Sequence, residues 1–259
     1  MRIHKIWIAG AGLLLTAAVA AGCDRKEDPA PTRVAPPSAS SREPASATAA
    51  SFAIADEGSA TFLIDAPLEK IKGRATRFRG SLTMNPEQLG EARGQVDVDL
   101  ATLETNTFDD EAKNAKQTEH SHNWLELGSD VDEKQRGENQ WVRFTIRSVK
   151  ATPSALSQAP ETDGRRRVEI SAEGDLWLHG VSVHETVKLA AFFTGSPEAP
   201  SELQITTLEP LALSLREHDV KPRDIAGKFL QGALEQVGDK IVDHVQVSLD
   251  FKATPSSKK

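Results

Sequence analysis

The sequence predicts an all-β protein, an antiparallel β-barrel of about eight strands with one or two short helices. Two observations carry that expectation. In Gly174–Phe193 and the residues before it, Val168, Ile170, Ala172, Gly174, Leu176 and Leu178 alternate with mostly polar neighbours, and Val187, Leu189, Ala191 and Phe193 do the same. Period-two alternation marks a strand with one buried face. His179-Gly180 lies between the two runs, where a tight strand connection needs a residue tolerant of positive φ. Secondly, six further segments carry a similar signal, and charged residues at alternate positions leave one sheet face wet, which disfavours an all-parallel arrangement. About eight strands are enough to close a barrel around one small ligand.

The chain of 259 residues carries Arg2, His4 and Lys5 ahead of an apolar run from Ile6 to Ala21, then Ala20-Ala21-Gly22-Cys23. A basic start, a short apolar core and small residues before a cleavage point describe an export signal over residues 1–22. The run is too short for a comfortable membrane span. Cys23 is the single cysteine, which excludes a disulfide framework or a thiolate cluster in the folded part. Small residues directly before it resemble a bacterial lipobox, so Cys23 is expected to become a lipid-modified N-terminus. Residues 23–51 hold five prolines, Pro29, Pro31, Pro36, Pro37 and Pro44, among Ala, Ser and Thr. Such a stretch cannot bury enough apolar surface to offset its ordering entropy and reads as a flexible linker. The expected arrangement is a globular domain over residues 52–254, tethered to a membrane of the bacterial cell envelope and facing the periplasm, with a disordered tail at 255–259.

Within the domain, Phe62 and Ile64 open the first strand. Phe78, Leu82 and Met84 form a second, interrupted by Gly80, which suggests a bulge or bend. Val96, Val98 and Leu100 form a third, and Phe108, Ala112 and Ala115 have helical spacing behind Thr107 as a cap. Gly128–Asn139 and Thr152–Arg166 read as polar loops. Val142, Phe144 and Ile146 form a fourth strand between them. Arg165-Arg166-Arg167 reads as the solvated end of a hairpin. After the central hairpin, Leu211, Leu213 and Leu215 make another strand, and Val245, Val247, Leu249 and Phe251 close the chain. A second helix is expected from Pro222 to before Gly238, with Ile225, Phe229, Ala233 and Val237 on one side and Gly227 and Gly232 weakening it.

The net charge of -7 leaves no basic footprint for nucleic acid. No G-x-S-x-G, H-E-x-x-H or G-x-x-x-x-G-K motif is present, and no catalytic residues are assigned. Glu119, His120 and His122 could contribute to a metal site only if His179, His184 or His218 supplied a third ligand. The alternative is helix-end capping and solvated histidines, and neither a metal nor a cofactor is assigned.

Four segments carry a family resemblance: Gly80-Ser81-Leu82-Thr83-Met84, Val96 to Leu103, Phe144 to Ser148, and Gly174-Asp175-Leu176-Trp177-Leu178-His179-Gly180-Val181. Their order between Phe52 and Ala253 resembles the bacterial YceI-like family. That resemblance implies a lipocalin-like barrel whose apolar interior holds a long isoprenoid or other lipid chain. The family's arginine-aspartate-phenylalanine-glycine stretch looks here like Arg216-Glu217-His218-Asp219, and the segment beyond it is longer than usual. On this reading Val98, Leu100, Phe144, Ile146, Leu176, Leu178, Val187, Leu189, Phe193, Val247 and Leu249 line a cavity. Arg216, His218, Ile225 and Phe229 belong to its mouth or lid, with Gly227 and Gly232 easing a lid open. Two other arrangements stay open: the same side chains fill the barrel, leaving a tethered structural or partner-binding module, or the Pro222–Val237 segment is a static plug.

Lipidation makes a direct prediction. Cys23→Ser should move the protein from the membrane fraction into a soluble exported form, read by fractionation of cells; unchanged membrane association would exclude a lipid anchor at this residue.

Overall fold

The chain closes its β-sheet on itself. The structure, a computed structural model, describes residues 32–35, 49–65, 70–221 and 243–256. The long strands are β1 (Ala50–Asp65), β2 (Lys70–Asn85), β3 (Gln88–Asp99), β5 (Trp141–Thr152), β7 (Arg165–Leu178), β8 (Val181–Gly195), β9 (Pro200–Thr207) and β11 (His244–Pro255). Three short strands, β4 (Glu104–Thr105), β6 (Glu161–Thr162) and β10 (Leu211–Ser214), flank β2, β7 and β11. The long strands run β1-β11-β9-β8-β7-β5-β3-β2, and β2 pairs back onto β1. All of these pairings are antiparallel. The result is an eight-strand closed barrel with two short helices, α1 (Glu111–Trp124) and α2 (Glu133–Asn139), both in the connection between β4 and β5.

The expected strand count was met with one substitution. The Leu211–Leu215 run forms only short β10, which pairs with the first residues of β11. The eighth long strand is instead β9, whose Leu203 and Ile205 supply just two inward positions, too few to register as alternation. Gly80 sits at φ +138 within an unbroken register from Phe78↔Val98 to Leu82↔Gly94, so no bulge forms there.

Helix α1 starts later than expected. Its cap is Asp110, whose carboxylate accepts from the Ala112 and Lys113 N–H groups; Thr107 Oγ1 instead accepts from Lys72 N–H and donates to Gln117. The segment read as a loop at Gly128–Asn139 contains α2, capped by Asp132 through Lys134 and Gln135 N–H. A seven-residue polar helix has no apolar stripe to reveal it, and only the Asp at its start carries information. The segment expected as a second helix, with Ile225, Phe229, Gly227 and Gly232, lies outside the described residues, as does Cys23.

The β7–β8 hairpin turns through His179 (φ 51) and Gly180 (φ 80), two left-handed residues that suit the right-handed twist of the paired strands. A histidine in this conformation needs outside support. Its ring is fully buried, with Nε2 3.0 Å from Glu126 Oε2 and Nδ1 3.2 Å from the His218 carbonyl oxygen. Arg33 joins the same knot, 3.1 Å from Glu126 and 3.5 Å from Asp219. Glu126 and Asp219 are themselves left-handed, at φ 55 and φ 53. Each such non-glycine residue costs on the order of 1–3 kcal/mol and persists only where its surroundings hold it. Val34 N–H donates to the Gly180 carbonyl, and Trp177 Nε1–H donates to the Val34 carbonyl. Thr32–Ala35, within the stretch read as linker, therefore lies along the hairpin.

The outer face carries charge, as the alternation requires. Arg167, Glu169, Glu173 and Asp175 of β7 point away from the inward set of Val168, Ile170, Ala172 and Leu176. A charged exterior of this kind is the reverse of a lipid-facing barrel surface. Two outward carboxylates are nonetheless covered by neighbouring side chains. Asp97, 1% exposed, accepts from Arg79 Nε, from Arg143 Nε and NH2, and from Gln95 Nε2. Arg79 in turn stacks over Trp141, 3.5 Å from the ring centroid. Asp99 is held by Arg77, Gln140 Nε2 and Ala101 N–H. Breaking a buried, hydrogen-bonded charge cluster costs far more than an exposed pair contributes. Asp97→Ala should therefore destabilise the barrel by roughly 3 kcal/mol in a urea titration, whereas Glu169→Ala on the exposed part of β7 should change it by less than about 1 kcal/mol.

Candidate functional site: an apolar cavity inside the barrel

The inward side chains leave the barrel partly empty. A cavity of about 540 Å³ runs along the interior, from Ile64, Ile71 and Val245 near one end to Met84 and Leu89 near the other. Its volume falls within the range of about 300–1,000 Å³ common for small-molecule sites. Part of the interior is filled. Phe52, Phe78, Phe193 and Leu203 are fully buried, and Phe78 stacks on Phe251 with centroids 5.4 Å apart. Many other inward residues are small or only half-buried. Ala60, Ala75, Ala92, Ala172 and Ala191 line the cavity, each leaving room that a larger side chain would fill. Phe62, Val96, Val142, Phe144, Ile146, Leu189, Val247 and Leu249 are apolar and face inward, yet remain only partly buried.

Local backbone features set the wall. A register shift in β5 between Ile146 and Ser148 changes phase, so Val149 lines the cavity after Val142, Phe144 and Ile146. Gly174, opposite on β7, has no side chain because none fits: a Cβ there would lie 2.4 Å from the Thr145 carbonyl oxygen and 2.7 Å from the Phe144 ring. The glycine thereby leaves room for the Phe144 ring beside β7.

The two ends differ. At the end bearing the β2–β3 turn, a short 3-10 turn, Leu156–Gln158, packs under the barrel with Leu156 1% exposed, and its Leu156 N–H donates to the Pro86 carbonyl. At the opposite end α1 lies along the rim. Lys113, Lys116, Gln117, His120, Ser121 and Trp124 of α1 and Phe108 before it all border the cavity, and the two lysines are exposed. Among the described residues, the polar rim of the cavity is therefore at the α1 end.

All eleven residues expected along the wall border this cavity: Val98, Leu100, Phe144, Ile146, Leu176, Leu178, Val187, Leu189, Phe193, Val247 and Leu249. Leu100 does so from a 3-10 turn, Leu100–Thr102, that follows β3. Of the residues expected at the mouth, the two that are described, Arg216 and His218, do not border the cavity. Arg216 lies 3.4 Å from Asp243, and its N–H donates to the same carboxylate, so it braces the end of β10 rather than the opening. His218 is 1% exposed and does not border the cavity. Burial pushes its imidazole below the usual histidine range against the opposing pull of the Leu178 and Val181 carbonyls, although neither ring nitrogen meets a partner with hydrogen-bond geometry. Ile225 and Phe229 lie outside the described residues.

The histidine pair weighed as a metal site is divided by its helix. His120 borders the barrel cavity, while Glu119 and His122 border a separate polar pocket with Gly128 and Asp130. Residues two apart on a helix point in different directions. Among the described residues no group of three or more His, Cys, Asp or Glu side chains is placed to hold a metal ion. The contribution of α1 to the rim was missed from sequence, because its cavity-facing side is polar and gives no apolar stripe.

Comparison with known proteins gives a family match and several similar solved structures. The family description "YceI-like domain" matches residues 48–253. Among solved structures, the chain is similar to BcnA of Burkholderia cenocepacia, with 14% identity, a TM-score of 0.48, and coverage of 76% of this chain and 96% of that one. It is also similar to a polyisoprenoid binding domain from Saccharophagus degradans implicated in plant cell wall breakdown, at 16% identity, TM-score 0.47, and 80% and 99% coverage. A Campylobacter jejuni YceI protein matches at 10% identity, TM-score 0.41, and 72% and 85% coverage. No curated protein matches the chain. With the family match spanning residues 48–253, well over half of the 259 residues, the chain belongs to the YceI-like family.

Proposed function

We propose that this protein is an envelope lipoprotein that holds an apolar chain, a polyisoprenoid or another lipid, inside its barrel as a carrier or sequestering protein. The observation that carries the reading is the set of inward aliphatic and aromatic side chains that face empty space instead of one another. Apolar surface left exposed in a cavity is stabilised by an apolar occupant, at roughly 0.8 kcal/mol per buried CH₂ group. A long unbranched or isoprenoid chain matches an elongated slot with almost no polar groups on its walls. Association costs several kcal/mol before any net affinity appears, so chain length rather than hydrogen bonding should set the affinity. Anchoring through Cys23, with the domain facing the periplasm, is the companion proposal, supported by the basic, apolar and small-residue sequence that precedes this cysteine. It would keep the barrel beside the membrane from which a lipid is drawn.

Leu189→Trp tests the cavity. Leu189 lies on the wall and is only partly buried, so an indole there should occupy the empty space. The variant should retain much less lipid after purification while its melting temperature moves by only a few degrees. A barrel whose side chains already met would be overpacked and lose about 1–3 kcal/mol, with lipid retention no different from the parent, and that result would overturn the reading.

A further inference from the structure

The rim of the cavity is chemically one-sided. Among the described residues, every one bordering it is apolar except Lys113, Lys116, Gln117, His120 and Ser121, and all five belong to α1. Their spacing of three, four, seven and eight residues places them on one face of the helix. Neither acidic residue of α1, Glu111 or Glu119, borders the cavity; Glu119 borders the polar pocket on the other side, and Asp110 before the helix is spent on its cap. Lys113 and Lys116 are exposed, and among the described residues neither is in an ion pair. Lys113 Nζ stands 5.8 Å from the centroid of Phe108, itself a rim residue. The Gln117 side-chain oxygen accepts from Thr107 Oγ1, and Ser121 Oγ donates to the Gln117 carbonyl, which ties this polar face to its own helix and the connection before it. In a protein of net charge -7, two ammonium groups at the rim of an apolar slot are a local reversal of sign.

We propose that the α1 face bearing Lys113 and Lys116 is a head-group subsite for an anionic amphiphile, a single apolar chain ending in a phosphate or a carboxylate. The inference rests on the chain-binding reading above and narrows it: the chain enters tail first, and its acidic head stays at the rim, where both lysines reach it and water still solvates it. Ammonium groups at a wet rim contribute orientation and selectivity more than affinity. The apolar slot accepts the tail of an alcohol as readily as that of an acid, so the lysines alone separate the two.

The test compares dodecyl phosphate, dodecanoate and dodecanol binding to the full chain by calorimetry at low and high salt. At low salt the two anions should bind about tenfold more tightly than the alcohol, equivalent to about 1.4 kcal/mol, and 0.5 M salt should erase most of that ratio through screening. Lys113→Glu with Lys116→Glu, checked for an unchanged melting transition, should collapse the anion-to-alcohol ratio to about one or invert it. Preference for phosphate over carboxylate distinguishes the two head groups, and either preference supports the subsite. Equal binding of anion and alcohol to the parent, or an unchanged ratio in the double variant, would overturn the subsite and leave the chain-binding reading standing. Failure of all three probes to bind would overturn both.

Discussion

The structure depends on one geometric constraint, the pairing of β1 with both β11 and β2. That double pairing closes the sheet, and once eight strands are closed the backbone fixes the width of the interior. Side chains then have to fill whatever space remains. This chain has nine Phe, four Trp and no Tyr, and several of those aromatics are spent away from the cavity. Phe52 and Phe78 are packed into the core, Trp141 lies under Arg79, and Trp177 donates to Val34. The wall is mostly Val, Leu and Ile with five alanines, and its larger members, among them Phe62, Phe144, Phe193 and Phe251, do not fill the ring that surrounds it. Hollowness follows from closure plus composition.

The same closure explains the outer charges. Period-two alternation that sends Val96 and Val98 inward sends Gln95, Asp97 and Asp99 outward, where the sheet's neighbours become available as partners. Arg79 on β2 and Arg143 on β5 stand on either side of Asp97 in the ladder, so a cross-strand charge cluster forms without disturbing the inner face. At the α1 end the chain has no strand geometry to rely on and uses polar contacts instead. Glu126, His179 and Asp219, all left-handed, converge with Arg33. That corner is held by hydrogen bonds and ion pairs, whereas the barrel wall is held by its ladder.

Most of the wall was legible in the sequence because alternation reports face directly. Once Val187 and Leu189 are in phase, so is Phe193, and all eleven expected wall residues border the cavity. The His179-Gly180 turn was readable because it directly follows Leu178, the end of the first alternating run, and carries a glycine tolerant of positive φ. What alternation could not show is equally physical. Strand β9 has two inward side chains, Leu203 and Ile205, too short a run to stand out from chance. Helix α2 has no apolar face. Helix α1 shows its polar face to the cavity, so its place at the rim, with Lys113 and Lys116, depends on the three-dimensional path of the β4–β5 connection. Arg216 and His218 sit near the same end in sequence, yet Asp243 holds the first and burial removes the second from the opening. Pairings of this kind depend on residues far apart along the chain.

Native mass spectrometry of the protein purified without detergent from the cells that make it tests the central claim most directly, since the claim is that the barrel is hollow and occupied. The account predicts a mass above that of the processed polypeptide, lost on extraction with organic solvent and regained when a long-chain lipid is added back. A single mass equal to the bare polypeptide, unchanged by added lipid, would contradict it.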